Sequence, residues 1–263
     1  MKIILLTQNL IQPPFIEDML KEVENVPDLH IIACLLHSPP EASLLEKLRR
    51  HWKKGVRGYL VVLILQALSK KIKNKIIKKT PPSFNLHSWV NQRNIPLLKI
   101  SHLYAPDTLQ MIRDLNAEAA ILAGYHLIVK ESFINLFPKG VLSYHYGDLR
   151  KYRGQPAGFW ELYNNEKEFR VTVQKIRKGI DNGIPVVEKI FPLQPHTTLS
   201  DLDRMVEKTC AGLMSQALFR IASPDYVDEI PETYGKLYSI PRLRQWLWFQ
   251  WMMTLKKVRG KKE

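Results

Sequence analysis

Residues 140–154 read GVLSYHYGDLRKYRG. The apolar opening predicts a strand beginning just past Gly140, and the polar, glycine-punctuated remainder predicts a loop. His145 falls where strand gives way to loop, two residues after Ser143. An imidazole in that position is free to reach a ligand if the strand belongs to a sheet whose carboxyl ends collect ligands.

The flanking sequence supplies such a sheet. Upstream, MKIILLTQ, LHIIACLLH, IPLLKI and AEAAILAGY have strand character, with the helical patterns IEDMLKEVENV and PDTLQMIRDLN between them. Downstream come a helix in PAGFWELYNNE, a strand in VTVQKI, a turn in KGIDNG and a strand in IPVVEKIFPL. The start signal TLSD at 198–201 and apolar spacing through Leu202, Met205, Val206, Cys210, Leu213 and Leu218 predict one long helix. Strands alternating with helices predict an α/β domain on a parallel or mostly parallel sheet. His126 in AGYHLI and His145 both fall at carboxyl ends of its strands.

A chain of 263 residues, 45% of them hydrophobic, suits one large domain with an appendage. Cys34 and Cys210 form neither a metal spacing nor a disulfide framework, so both are expected in the core and the setting is expected to be reducing and cytoplasmic. Neither HExxH nor a Cys/His quartet occurs, and no metal is expected. After the first strand the chain reads TQNLIQPP rather than Gly-x-Gly-x-x-Gly, which argues against a nicotinamide dinucleotide. No basic-then-apolar leader opens the sequence. The uncharged apolar run Gly58 to Ser69 has 12 residues, short of the roughly 20 a spanning helix needs.

The net charge of +14 is unevenly placed. Residues 47–79 hold twelve Lys+Arg and residues 236–262 hold eight, with no acidic side chain in either stretch. The remainder is mildly acidic, so the basicity is expected to belong to two segments separable from a domain over residues 1–223. These are a basic helical insertion at 41–82 and a basic aromatic tail at 224–263. Both place Lys/Arg clusters beside apolar patches with tryptophan: Trp52 in the first, Trp246, Trp248 and Trp251 in the second. That pairing suits an anionic membrane surface, and packing on the core or a homodimer contact are the alternatives.

Asp181, in GIDNGIPVV, lies 36 positions after His145 at another strand junction, where Asp-x-Gly marks a tight turn able to aim a carboxylate inward. A carboxylate that holds an imidazole's tautomer and stabilises its charged form is the minimal equipment for proton shuttling.

These residues together resemble the formyltransferases that use 10-formyltetrahydrofolate, which include glycinamide ribonucleotide, methionyl-tRNA and sugar-nucleotide members. Their signature runs Asn-x-His-Pro-Ser-Leu-Leu-Pro-x-Tyr-Arg-Gly, then Gly-Val-Thr, then Leu-Asp-x-Gly. Here the counterparts are Ser143 to Gly154, Val171-Thr172-Val173 and Ile180-Asp181-Asn182-Gly183, in the same order and without gaps. The resemblance runs from about Asp107 to Leu193, extends to residues 1–37, and fails over the insertion and the tail.

It implies a Rossmann-like, mostly parallel sheet of the formyltransferase type and no need for a metal. It also implies that His145 handles the proton of an attacking amine and that Asp181 orients that chemistry. Backbone at Tyr125, Leu127 and Ile128, with the loop approaching Asp181, would cradle the pterin. Asn9, Tyr152, Arg153 and Gly154 would lie near the acceptor, the last three forming a turn beside the site. Where the family has an asparagine amide facing the formyl oxygen this chain has Ser143, so the hydroxyl, or a neighbour such as Tyr144, Tyr146 or Gln155, would have to donate instead.

The function so implied is transfer of a formyl group to a primary amine, with an amino sugar, nucleotide- or lipid-linked, as the expected acceptor. Hydrolysis of the same donor and a non-catalytic membrane-surface scaffold are the alternatives. A lipid-linked acceptor would account for the basic segments, held peripherally on the inner face of a membrane. Nucleic acid is not expected, because the tRNA-acting members carry a sizeable β-barrel after the core where only residues 224–263 follow here.

Overall fold

Lys2–Thr7 (β1) lies inside the sheet, flanked by strands on both sides, and its Ile3, Ile4, Leu5 and Leu6 are wholly buried. Such a continuous apolar run is what a strand covered on both faces requires, each side chain contributing roughly 1.5–3 kcal/mol. The computed structural model describes residues 1–39 and 83–259 of the chain. The expected insertion at 41–82, with its basic stretch at 47–79 and Trp52, lies outside the described residues.

The strands that follow are Ile11–Gln12 (β2), His30–His37 (β3), Phe84–Asn85 (β4), Leu97–Ile100 (β5), Ala119–Leu122 (β6) and Gly140–Tyr146 (β7). They continue as Tyr152–Gly154 (β8), Glu168–Lys175 (β9), Ile184–Pro192 (β10) and Lys236–Tyr238 (β11). Seven of them form one sheet in the order β10-β9-β7-β6-β1-β3-β5. The pairs β7/β6, β6/β1, β1/β3 and β3/β5 are parallel, while β9 and β10 run antiparallel at one edge. This is the mostly parallel α/β sheet that the alternating pattern predicts.

Helices cover both faces. Pro14–Glu24 begins with proline, whose fixed φ suits a first turn, and buries Phe15, Ile16, Met19, Leu20 and Val23 at helical spacing. Leu86–Gln92 is capped by Asn85, whose carboxamide oxygen accepts from the Ser88 N–H at 3.1 Å. Pro106–Asp114 packs Ile112 into the opposite core layer beside Leu103, Phe133 and Val141.

Two expectations change. The single helix foreseen from Thr198 to Leu218 is two, Leu199–Thr209 and Leu213–Ala222. The break is filled by a side chain from β7: the Tyr144 hydroxyl donates towards the carbonyls of Cys210 at 2.8 Å and Ala211 at 3.1 Å, and accepts from the Met214 N–H at 3.2 Å. One phenol thus satisfies backbone groups that an interrupted helix leaves without partners.

The tail is also not separable from the domain. Strand β11 pairs in parallel with β8, setting Tyr238 opposite Gly154. Gly154 has φ 91°, and a Cβ there would come within 2.0 Å of the Tyr238 carbonyl oxygen, so only glycine lets the two strands meet. The helix Leu243–Arg259 then buries Phe249 and Met253 in the main core, Phe249 lying 4.4 Å from Phe159 centroid to centroid.

Candidate active site

Strand alternation decides which side chains reach the site. Ser143 and His145 share one face of β7, and their partners across the antiparallel ladder on β9, Gln174 and Thr172, share it too. Tyr144 and Tyr146 point to the other face, where they stack 6.2 Å apart and the Tyr144 hydroxyl is taken up in the helix break. They are therefore not the hydroxyl donors foreseen beside Ser143.

Over the Ser143/His145 face curls the β9–β10 connection, residues 176–183. Asp181 adopts φ 43°, a left-handed conformation that aspartate tolerates better than most residues. Its carboxylate approaches His145: Oδ1 lies 3.4 Å from Nδ1, while Oδ2 accepts the Gly154 N–H at 2.7 Å. The imidazole is 6% exposed and the carboxylate 24%. On the far side of the ring, Nε2 lies 3.0 Å from the Tyr152 carbonyl oxygen. A carbonyl only accepts, so Nε2 carries a proton. Only a ring that has also gained a proton at Nδ1 can donate to Asp181, so the pair is built to receive one.

Burial alone would raise the Asp181 carboxyl. The hydrogen bond and charge of His145, joined by the Gly154 N–H and the Gln174 side chain, outweigh it and hold Asp181 below its ordinary value.

The pair faces a cavity of about 1270 Å³. Single-ligand sites usually measure roughly 300–1,000 Å³, so two reactants have room to lie side by side. Tyr125, Leu127 and Ile128 line one wall; Gly154, Gln155 and the loop through Ile180, Asp181 and Asn182 line another. Leu127 and Ile128 are exposed, whereas the Tyr125 hydroxyl is tied to His37 Nδ1 at 2.7 Å. The tail closes the third side through Tyr238, Ile240 and Arg242, and exposed Arg177 and Arg242 set two guanidinium groups on the lining. Among the described residues no group of metal-ligating side chains is assembled.

Three residues expected near the acceptor sit elsewhere. Asn9 is exposed and outside the cavity wall, and its carbonyl accepts from the Gln12 amide. The Tyr152 ring points away, its hydroxyl donating to Glu166 at 2.8 Å and its face stacked on Tyr238. Arg153 donates to the Ile180 carbonyl at 2.9 Å, bracing the Asp181 loop from behind. Gly154 alone of that turn borders the cavity, because its N–H must reach Asp181.

Two residues escaped the sequence reading. Gln174 is 2% exposed, lines the cavity beside Ser143, and accepts the Gly183 N–H on its Oε1 at 3.2 Å. That contact turns its amide nitrogen towards Asp181, whose carboxyl it helps hold below the ordinary value. Strand alternation puts it on one face with Thr172, and only the register with Ser143 turns that face to the cavity. Glu161, in the helix Phe159–Tyr163, is 4% exposed and stands next to the imidazole.

Comparison with known proteins fits this geometry. The formyl transferase family model matches residues 41–218. A methionyl-tRNA formyltransferase of Borreliella burgdorferi is 28% identical over 177 residues, covering 65% of this chain and 54% of its own length. The chain thus spans about half the length of that curated relative. Among solved structures, glycinamide ribonucleotide transformylase 1 of Symbiobacterium toebii superposes with a TM-score of 0.59 at 14% identity, covering 90% of this chain and 94% of that one. WlaRD, a sugar 3N-formyltransferase solved in the presence of dTDP and 5-N-formyl-THF, gives 0.53 at 16% identity over 91% of this chain and 69% of its own. These likenesses at low identity establish a shared fold.

Proposed function

Since the chain belongs to the formyl transferase family, we propose that it moves a formyl group from 10-formyltetrahydrofolate to the primary amine of an amino sugar. The observation that carries this reading is the His145–Asp181 pair on the wall of a cavity large enough for two reactants. The amine nitrogen attacks the formyl carbon and the carbonyl electrons move to oxygen. They return as the bond to folate N10 breaks: N10, which carries no proton in the donor, takes one from the attacking nitrogen, and the further proton that an ammonium must shed passes to Asp181 and His145. Exposed Leu127 and Ile128 with the 177–182 loop receive the pterin, consistent with a neighbour solved with a formylated folate. Arg177 and Arg242 suit an anionic portion of donor or acceptor.

Gln174 takes over the amide duty that Ser143 lacks. Its oxygen is anchored on Gly183, one amide hydrogen faces Asp181, and the second is left for the oxyanion beside Ser143.

The test is to incubate the protein with 10-formyltetrahydrofolate and a panel of nucleotide- and lipid-linked amino sugars, glycinamide ribonucleotide and charged initiator tRNA. A formylated amino sugar is the expected product. Formate without any formylated amine would make the protein a hydrolase, and an unchanged donor a binding scaffold.

The acceptor in this reading is held at a membrane. On Leu243–Arg259 the residues Leu247, Trp248, Trp251 and Leu255 are exposed along one face, opposite buried Phe249 and Met253. Trp248 and Trp251 lie 4.8 Å apart with Arg244 and Lys256 on the same helix, a composition suited to an anionic headgroup layer. The helix starts at the cavity rim, where Ile240 is also exposed, so a lipid-linked substrate would enter from that surface. Attachment in this reading is peripheral; among the described residues no helix is long and apolar enough to cross a membrane. Co-flotation with phosphatidylglycerol vesicles is expected to fall about tenfold in the Trp248→Ala/Trp251→Ala variant. If that variant instead converts a solution dimer to monomer and leaves flotation unchanged, the face is an oligomer contact.

A further inference from the structure

His145 has a carboxyl group on each side, and proton handling by the His145–Asp181 pair uses only one of them. Glu161 is 4% exposed, and the cations around it are engaged elsewhere: Lys151 with Glu166 at 3.6 Å, Arg170 with Asp148 at 3.4 Å and Glu188 at 3.2 Å. Gly147 shows how closely the groups meet. A Cβ on it would lie 3.0 Å from Glu161 Oε1, 3.1 Å from His145 Nε2 and 3.2 Å from the Tyr152 carbonyl oxygen. The three atoms surround one missing side chain.

Behind them is a second cavity of about 70 Å³, roomy enough for water. Glu161 and Tyr152 line it together with Asp148, Lys151, Glu166, Glu168 and Arg170. The imidazole thus borders the large cavity on its Nδ1 side, while Tyr152 and Glu161, on its Nε2 side, border the small charged one.

A primary amine is largely an ammonium ion near neutral pH, so its formylation releases a proton that folate N10 does not absorb. The proton needs an exit that does not cross the reactant cavity while both reactants fill it. Resting on the formyl-transfer reading, we propose that Glu161 is that exit: a relay residue that takes a proton from His145 Nε2 and hands it to water in the small cavity. One proton arrives at Nδ1 as another leaves Nε2, so only N–H and O–H bonds are exchanged. The Tyr152 carbonyl holds the Nε2 proton in place but cannot carry it away, whereas a carboxylate can.

Burial raises Glu161 to about 7; its own backbone N–H and the charge of His145 pull it down, and Glu166 adds to the rise. A group at that value gains and loses protons at neutral pH. Because the folded value is raised, its contribution to stability is present in acid and is lost as pH rises through about 7. Glu161→Gln should therefore melt about 3 °C higher than the parent at pH 8 while matching it at pH 5.

The deciding experiment follows the Glu161 side-chain carboxyl by ¹³C NMR in the full chain, in the parent and in His145→Gln. The expected midpoint is about 7 in the parent and higher in the variant, where His145 no longer pulls it down. A midpoint in the ordinary carboxylate range, or one unmoved by His145→Gln, overturns the relay whether or not formyl transfer is observed. With turnover in hand, Glu161→Gln should lower kcat about tenfold with KM unchanged and remove the pH limb near 7, and Glu161→Asp should restore part of both. Unchanged kcat and pH profile in Glu161→Gln would equally overturn it.

Discussion

His145→Ala is expected to reduce kcat by on the order of a hundredfold or more while leaving KM near the parent value, measured as formylated amine formed per minute under saturating donor. A hundredfold loss corresponds to about 2.7 kcal/mol of transition-state stabilisation, which one well-placed proton acceptor can supply. The expectation follows from what the ring touches. Nε2 is fixed by a carbonyl that only accepts, and Nδ1 stands 3.4 Å from a carboxylate that gains most when the ring takes a second proton. Removing the ring leaves Asp181 as the remaining acceptor at the cavity wall.

The same substitution also predicts a pH signature. His145 is what chiefly holds the Asp181 carboxyl below its ordinary value against the opposing effect of burial. Without it that carboxyl rises, so the residual activity should fall away at a higher pH on the acid side than in the parent. His145→Gln serves as a control for packing, since the ring is buried and alanine leaves a void. Undiminished turnover in both variants would remove His145 from the mechanism.

The sequence exposed this pair because each member stands beside strong local punctuation. His145 ends an apolar run and Asp181 sits in a Gly-Ile-Asp-Asn-Gly turn, so both positions could be read without knowing which strands are neighbours. Gln174 was invisible for the opposite reason. Within VTVQKI it is one polar side chain on an alternating strand, and only the antiparallel register with Ser143 turns it towards the reactants. Glu161 reads in FWELY as an outward glutamate on a short amphipathic helix, and only the fold brings His145 against it.

Helix boundaries and the tail were misjudged through long-range contacts too. The apolar period continues across Cys210, so apart from Gly212 nothing local announces that a tyrosine from β7 ends the helix there. WLWFQWMM is apolar on every side, which hid the fact that one face packs against Phe159 while the other is left to solvent. KLY, at three residues, is too short to show any period before it pairs with β8.

Gln174→Leu, which keeps the volume and removes the amide, is expected to lower kcat by on the order of a hundredfold to a thousandfold, the usual loss on deleting one oxyanion donor, or about 3–4 kcal/mol. Ser143→Ala should cost less, because a hydroxyl reaches less far and can turn to other partners. If the two share one developing charge, Ser143→Asn placed into Gln174→Leu should recover part of the lost rate, since an amide on β7 would then face the same oxygen from the neighbouring strand. The double variant isolates the chemistry from the structural effect of losing the Gly183 contact, which Ser143→Asn cannot repair. A Gln174→Leu enzyme that keeps its kcat, or a double variant no faster than the single one, would mean that the oxyanion is met by backbone instead. An amide that is 2% exposed, anchored through its oxygen and turned towards Asp181, can donate to a reacting atom only if the substrate is seated within its reach. The rate loss should therefore appear in kcat and spare the affinity for either reactant.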